Sequence, residues 1–308
     1  MPDRAGVLGA IGNTPVARLS RLVEPDMAEV WVKLESHNPT GSYKDRMGLA
    51  MIEGGERSGR LQPGQAVVEY TGGSTGSSLA LVCAVKGYPL SVVSSNAFAE
   101  EKLRTMSALG ANIELIDSPD GITPELVPRM RARAAEIAAQ IGAFQTDQYN
   151  NTDMVEGYEA LGRELLDQLD EQLDAYCGYV GTAGCFLGTT RALRRRIPTL
   201  LRVIVEPAES PAISEGRKGT HRIEGGGAGF VPPQLTRDSW DEAILVSTDE
   251  AMEMTRRAAR EEGLFSGPST GANLIAALTV ASRLGPGHRV ATVLVDSGLK
   301  YLRGEAYA

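Results

Sequence analysis

The stretch Ala66-Val67-Val68-Glu69-Tyr70-Thr71-Gly72-Gly73-Ser74-Thr75-Gly76 decides the fold class. Its first five residues are rich in β-branched and apolar side chains and end abruptly at turn-forming residues, the pattern of a short buried strand. The Gly/Ser/Thr loop then opens into the apolar segment 78–86, too long for a strand and read as a helix. A strand that passes through a tight loop into a helix is half of a β-α-β unit, because parallel strands need a crossover to return to the same edge.

The same alternation continues on both sides. Residues 30–34 upstream and 90–93 and 113–116 downstream read as strands, with a helical segment over 100–109. Val127, Met130, Ala134, Ile137 and Ile141 recur at steps of three and four, one face of a helix. Residues 175–180 and 201–205 are strands that bracket another helix, and 289–295 is a buried-strand run. Ser247 and Glu250 have the spacing of a capping box, so a helix is expected to start there. The main irregular stretch is 206–242, which holds Pro207, Pro211, Pro232, Pro233 and a triple glycine. That is too long for an ordinary connection and reads as a functional loop or a locally ordered one. Strand–helix alternation with short loops implies mostly parallel sheets covered by helices, and 308 residues suffice for about two such domains.

Composition narrows the function. The net charge of −8 argues against nucleic acid as the main partner. The longest apolar run, 79–85, is far short of the ~20 residues of a membrane helix. Met1-Pro2-Asp3-Arg4 lacks the basic-then-apolar pattern of a signal peptide, so none is expected. Cys83, Cys177 and Cys185 form no CxxC pair, which fits a reduced cytoplasmic compartment. His37, His221 and His288 are scattered, so no metal site is expected. Glycine is abundant, 35 residues where an average composition gives roughly 20.

Four motifs carry candidate chemistry. In Asn38-Pro39-Thr40-Gly41-Ser42-Tyr43-Lys44-Asp45-Arg46, a turn leads into a helix whose first turn holds Lys44. The partial positive charge of a helix N-terminus favours a neutral amine there, the form that makes a Schiff base with an aldehyde. The plain alternative is a solvated surface lysine. Thr71 to Gly76 places N–H groups and hydroxyls at a strand-to-helix junction, suited to a carboxylate or phosphate; the alternative is an ordinary tight turn. Gly181-Thr182-Ala183-Gly184-Cys185 is a second such junction, suited to phosphate or to close helix–strand packing. It is not GxGxxG, and no GxxxxGK[ST] occurs. Gly267-Pro268-Ser269-Thr270-Gly271 matches GxSxG, as does 72–76, but 270–287 lacks the acid a hydrolase triad needs before His288. For Ser74 the order is possible with His221 or His288.

Taken together, these motifs resemble the cysteine synthase family of pyridoxal-phosphate (PLP) enzymes, the fold type II or tryptophan-synthase-β-like group. Ile11-Gly12-Asn13-Thr14-Pro15, residues 206–211, residues 225–230 and Asp296-Ser297-Gly298 fall in the same order as in that family. The resemblance implies two three-layer α/β/α domains. A larger PLP-binding domain comprises 1–44 plus 149–308, and a smaller mobile domain, 45–148, binds the substrate carboxylate. The active site is expected in the cleft between them, in a cytoplasmic homodimer acting on a small amino acid.

By position, the resemblance makes Lys44 the PLP-bearing lysine and base. Gly181, Thr182, Ala183, Gly184 and Cys185 become the phosphate cup, and Ser269 the partner of the pyridine nitrogen. Thr71, Gly72, Gly73, Ser74, Thr75 and Gln148 become the carboxylate grip. Ser74 lies where the family usually has an Asn near the cofactor 3′-oxygen, Cys185 where a Thr is usual, and Gly226, on the substrate side, where a bulkier residue is usual. A serine cannot protonate the ring nitrogen as an aspartic acid would, which weakens the electron sink and favours expulsion of a β-substituent. The implied activity is β-replacement on an activated serine-type amino acid through an aminoacrylate. The alternatives are a β-eliminating lyase, motivated by the small residues at 72 and 74, and a non-catalytic amino-acid-binding homologue.

Overall fold

The computed structural model describes residues 6–119, 123 and 125–307. They divide into two compact units: one holds Asn38–Met154 with the residues up to Ile11, the other Gly12–His37 with Val155–Ala308.

The larger unit is built on a six-stranded sheet. In chain order its strands are β1 (Val16–Arg18) and β2 (Glu29–Leu34). After the four strands of the smaller unit, β3 to β6, come β7 (Ala175–Tyr179), β8 (Leu201–Pro207), β9 (Glu242–Val246) and β10 (Arg289–Leu294). The spatial order is β1-β2-β10-β7-β8-β9. Only β1 is antiparallel; every other neighbour pair is parallel, with Val290 beside Val30 and Ala175. Buried on both faces, the central strands carry apolar residues almost without a break, as parallel sheets require. All five residues of β7 are buried.

One side of this sheet is packed by the helix Pro268–Leu284, whose Ala272, Leu274, Ala276, Ala277, Val280 and Ala281 join Val30, Val32, Ala175, Cys177, Val203 and Val205 in one core. Its small residues allow close approach: a Cβ on Gly271 would lie 2.1 Å from the Ala251 carbonyl of the helix Thr248–Arg257. That helix starts as the sequence predicts. Ser247 Oγ accepts from Glu250 N–H, and the Glu250 carboxylate accepts from Ser247 N–H.

The smaller unit has a fully parallel four-stranded sheet of order β5-β4-β3-β6, formed by β3 (Val67–Tyr70), β4 (Leu90–Ser95), β5 (Asn112–Ile116) and β6 (Phe144–Gln145). The helix Leu126–Ile141 covers one face, burying Leu126, Met130 and Ala134 against Val68, Tyr70 and Val93. The unit also takes in residues on both sides of the expected 45–148 span, for visible reasons. The Asp45 carboxylate accepts from Thr40 N–H at 2.7 Å, fastening the preceding loop, and Arg60 pairs with Asp153.

Asn13 and Thr14, within the Ile11–Pro15 stretch, form a staple in the larger unit. Thr14 Oγ1 donates to Glu35, the Thr14 carbonyl accepts from Lys33 Nζ and Gln168 Nε2, and Asn13 N–H donates to Glu164. Lys33 is fully buried and is neutralised by Glu164 at 2.7 Å.

Candidate active site

In the smaller unit, Lys44 is the first residue of helix α1 (Lys44–Arg57), as the sequence expects. It is buried, with Nζ 3.9 Å from Met47 Sδ and 5.1 Å from the centre of the Tyr43 ring. The chain reaches this point through a turn at Gly41, where φ is +74°, a conformation glycine adopts without steric penalty. Asp45 also accepts from Ser78 Oγ at 2.6 Å, which ties the start of α1 to the second helix α2 (Ser74–Lys86).

The 71–76 loop runs from β3 into α2 with Gly73 as the N-cap and no side chain capping the helix. Thr71, Thr75 and Gln148 are buried together. Thr75 Oγ1 donates to Gln148 Oε1 at 2.9 Å, and Gln148 Nε2 donates to the Tyr70 carbonyl at 3.1 Å. Beneath them lies Glu69, fully buried, accepting from Thr146 Oγ1, Tyr70 N–H and Gln148 N–H. Burial pushes the Glu69 carboxyl up to about 7, against the downward pull of those three donors.

The glycines of this loop leave no empty space. A Cβ on Gly72 would sit 2.3 Å from the Phe98 ring, one on Gly73 2.9 Å from Lys102 Cδ, and one on Gly76 2.2 Å from Met106 Sδ. Phe98 therefore fills the volume that a side chain at 72 would take. No motif singles out Phe98, Lys102 or Met106; the sequence foresees the helix from residue 100, but its approach to the loop is a tertiary fact.

In the larger unit, residues 181–185 join β7 to helix α6 (Gly184–Arg196). Ala183 is its N-cap, with φ at +69° and no side-chain cap. A non-glycine residue held left-handed costs on the order of 1 kcal/mol and marks a backbone shaped for a purpose. The first N–H groups of a helix have no intrahelical acceptor and suit an anion. The cup is lined without side chains where it is tightest: a Cβ on Gly181 would lie 2.7 Å from the Gly225 carbonyl. Cys185 Sγ lies 3.8 Å from Tyr176 Oη.

Gly225 faces Ser269, whose Oγ would be 3.6 Å from a Cβ at 225. Ser269 is buried, and its hydroxyl has no hydrogen-bond partner among the described residues. An unpaired buried hydroxyl costs about 1–3 kcal/mol, so a ligand atom is its natural complement. Gly226 is packed shut, its would-be Cβ 2.5 Å from the Tyr179 ring. The loop is fastened by His221: Nδ1 accepts from Ile223 N–H, so Nε2 carries the proton and donates to the Gly227 carbonyl at 2.8 Å. Both ring nitrogens are thus committed to backbone, which removes this histidine as a hydrolase base.

An uncapped helix end behind a strained residue, a side-chain-free cradle and the orphaned hydroxyl of Ser269 fit a cofactor with a phosphate and a ring nitrogen. The chain matches the model of a family described as "Pyridoxal-phosphate dependent enzyme" over residues 7–296. The chain belongs to this family. A cysteine synthase of Staphylococcus aureus is 40% identical over 300 residues, 97% of this chain and 95% of that protein. Among solved structures, O-acetyl serine sulfhydrylase isoform 3 of Entamoeba histolytica superimposes with a TM-score of 0.92 at 32% identity, covering 100% of this chain and 93% of that one. O-ureido-L-serine synthase does so with a TM-score of 0.92 at 31% identity, covering 99% and 96%. The sequence expectation of a fold type II enzyme of two α/β domains therefore holds for this family member. No helix among the described residues is long and apolar enough to cross a membrane.

Proposed function

We propose that this chain catalyses β-replacement on a serine-derived amino acid whose side-chain oxygen bears a leaving group, adding a nucleophile at Cβ. The observation that carries the reading is the buried, partnerless hydroxyl of Ser269 opposite side-chain-free Gly225. Pyridoxal phosphate, when bound, supplies an electron sink for the amino acid it holds. The 181–185 backbone and the first turn of α6 hold its phosphate, and Ser269 meets its ring nitrogen. Lys44 secures the cofactor at rest and takes the α-proton of the substrate. Ser74 lies on the cofactor side of the loop that contains it. Thr71, Gly72, Gly73, Thr75 and Gln148 bind the substrate carboxylate; to donate to it, Thr75 Oγ1 has to leave Gln148 Oε1. Gly226 keeps the 225–229 loop close to Val180 on the substrate side.

The two relatives with solved structures are named for different activities, and a serine derivative is what their names share. The space at Gly72 that would admit water for elimination is taken by Phe98, which favours replacement. The test is a yellow purified protein given O-acetyl-L-serine with sulfide, a thiol or an amine, with the products weighed by mass spectrometry. A new amino acid is expected. Stoichiometric pyruvate in place of it would establish elimination, and no consumption of donor would sink the enzymatic reading. A homodimer in the cytoplasm, with the 45–148 domain closing on substrate, belongs to the same proposal. Sedimentation tests the dimer.

Gly181→Ala isolates the cup. The added methyl must displace the Gly225 carbonyl, and overpacking of this kind costs about 1–3 kcal/mol. Cofactor affinity of the apoprotein is expected to fall roughly 5- to 100-fold, read by fluorescence titration with pyridoxal phosphate. Unchanged affinity would move the phosphate elsewhere.

A further inference from the structure

Ser269 has a hydroxyl but nothing that aims it. Gly267, the N-cap of its helix, has no side chain, and Pro268 precedes it directly. Its direction therefore depends on what fixes the backbone from Phe265 to Gly267. Part of the answer is the neighbouring segment: Gly298 N–H donates to the Phe265 carbonyl, Gly267 N–H to the Asp296 carbonyl, and Val295 N–H to Thr270 Oγ1.

The rest comes from residues 301–307. The Tyr307 hydroxyl donates to the Ser266 carbonyl at 2.6 Å and accepts from Ser266 N–H at 3.1 Å, so one side chain takes both backbone polar groups of that residue. Its ring lies 4.8 Å from that of Phe265. Tyr301 Oη donates to Asp296 Oδ2 at 2.9 Å, and its ring fills the space over Gly267, 2.4 Å from where a Cβ would be. Met252, Tyr301, Ala306 and Tyr307 pack together, and Arg256 donates to the Ala306 carbonyl, so the segment is anchored rather than loosely laid down.

We propose that residues 301–307 are a clamp that aims Ser269, with Tyr307 and Tyr301 as positioning residues for the hydroxyl that meets the cofactor ring. The proposal rests on the functional reading above, in which Ser269 faces the ring nitrogen. It makes the tail part of the cofactor site without any residue of the tail touching the cofactor.

The test compares wild type, Tyr307→Phe, Ser269→Ala and the double variant, as apoprotein titrated with pyridoxal phosphate and then by absorption spectrum. Tyr307→Phe keeps the ring packing and deletes both bonds to Ser266. It is expected to weaken cofactor binding about tenfold, or 1.4 kcal/mol, and to alter the ratio of the visible to near-ultraviolet bands as Ser269→Ala does. The double variant is expected to be no worse than the worse single one, because both act through one hydroxyl. Wild-type affinity and spectrum in Tyr307→Phe, or additive losses in the double variant, would overturn the clamp. Should Tyr307→Phe fold poorly, Tyr301→Phe, which keeps the ring over Gly267 and loses the bond to Asp296, is read against the same two outcomes. A wild-type apoprotein that takes up no cofactor overturns the functional reading and the clamp with it, whereas unchanged binding in the variants overturns the clamp alone.

Discussion

Lys44→Ala is expected to lower turnover of the amino-acid donor by at least ~10³-fold while leaving the chain folded. Two contributions combine. A positioned base is worth about 10²–10⁴-fold in a proton transfer, and the amine also secures the cofactor covalently. The variant loses both. Folding is expected to survive because Asp45, which binds Thr40 and Ser78 and is untouched by the substitution, fastens this region. Borohydride reduction followed by peptide mass mapping is the second readout. Wild type is expected to carry the cofactor mass on the peptide containing Lys44, and the variant to carry none. A variant that keeps a tenth of wild-type turnover, or a reduced adduct on another lysine, would sink the assignment.

The second large effect concerns Glu69 and pH. Its carboxyl is raised from 4.5 to about 7 by burial, so the folded state holds a proton that the unfolded chain has released between those values. The stability contribution of this proton is therefore fully present below about 4.5 and is lost as pH rises through about 7. Linkage puts the loss at roughly 3 kcal/mol, good to an order of magnitude. Glu69→Gln removes the titration while keeping the shape. Unfolding in urea at a series of pH values is expected to show the variant gaining on wild type from pH 5 to pH 8. Parallel profiles would mean the carboxyl titrates normally. Because Gln148 N–H donates to Glu69 and its side chain meets Thr75, the same substitution is also expected to raise KM for the donor more than it lowers kcat.

Much of this architecture is legible in the sequence, and the exceptions have physical causes. Strands β2, β3, β4, β7, β8 and β10 announce themselves as short, largely buried apolar runs, and β5, although none of its residues is buried, does so through Ile113, Leu115 and Ile116. β1 has three half-exposed or exposed residues and β6 only two, too few to form a pattern. β9 is half-buried over most of its length and follows directly on the irregular 206–242 stretch. The helix Asp153–Gln168 gives a weak signal although Met154, Tyr158, Leu161 and Leu165 repeat at helical spacing, because charged residues dilute the run. Helix Pro268–Leu284 shows little periodicity, since its first seven residues, 268–274, are all buried. The same division holds at the site. Lys44, the 71–76 loop, the cup and Ser269 are local motifs, each at the end of a strand or the start of a helix. Phe98, Tyr179 and Tyr307 act through neighbours remote in the chain, and no spacing rule brings them forward.

The placement of β10 between β2 and β7 bears on how the protein is made. Val290 must insert beside Val30 and Ala175, so the ribosome delivers one flank of the central strand's slot very early and the strand itself very late. Until then the nascent larger unit exposes two unpaired sheet edges of apolar sequence, the kind of surface that recruits chaperones or other nascent chains. The four-stranded sheet, drawn entirely from residues 67–145, has no such wait and can mature during synthesis. Translation order thus splits one polypeptide into an early folder and a late one, and conditions that slow completion of the chain endanger the cup-bearing half first.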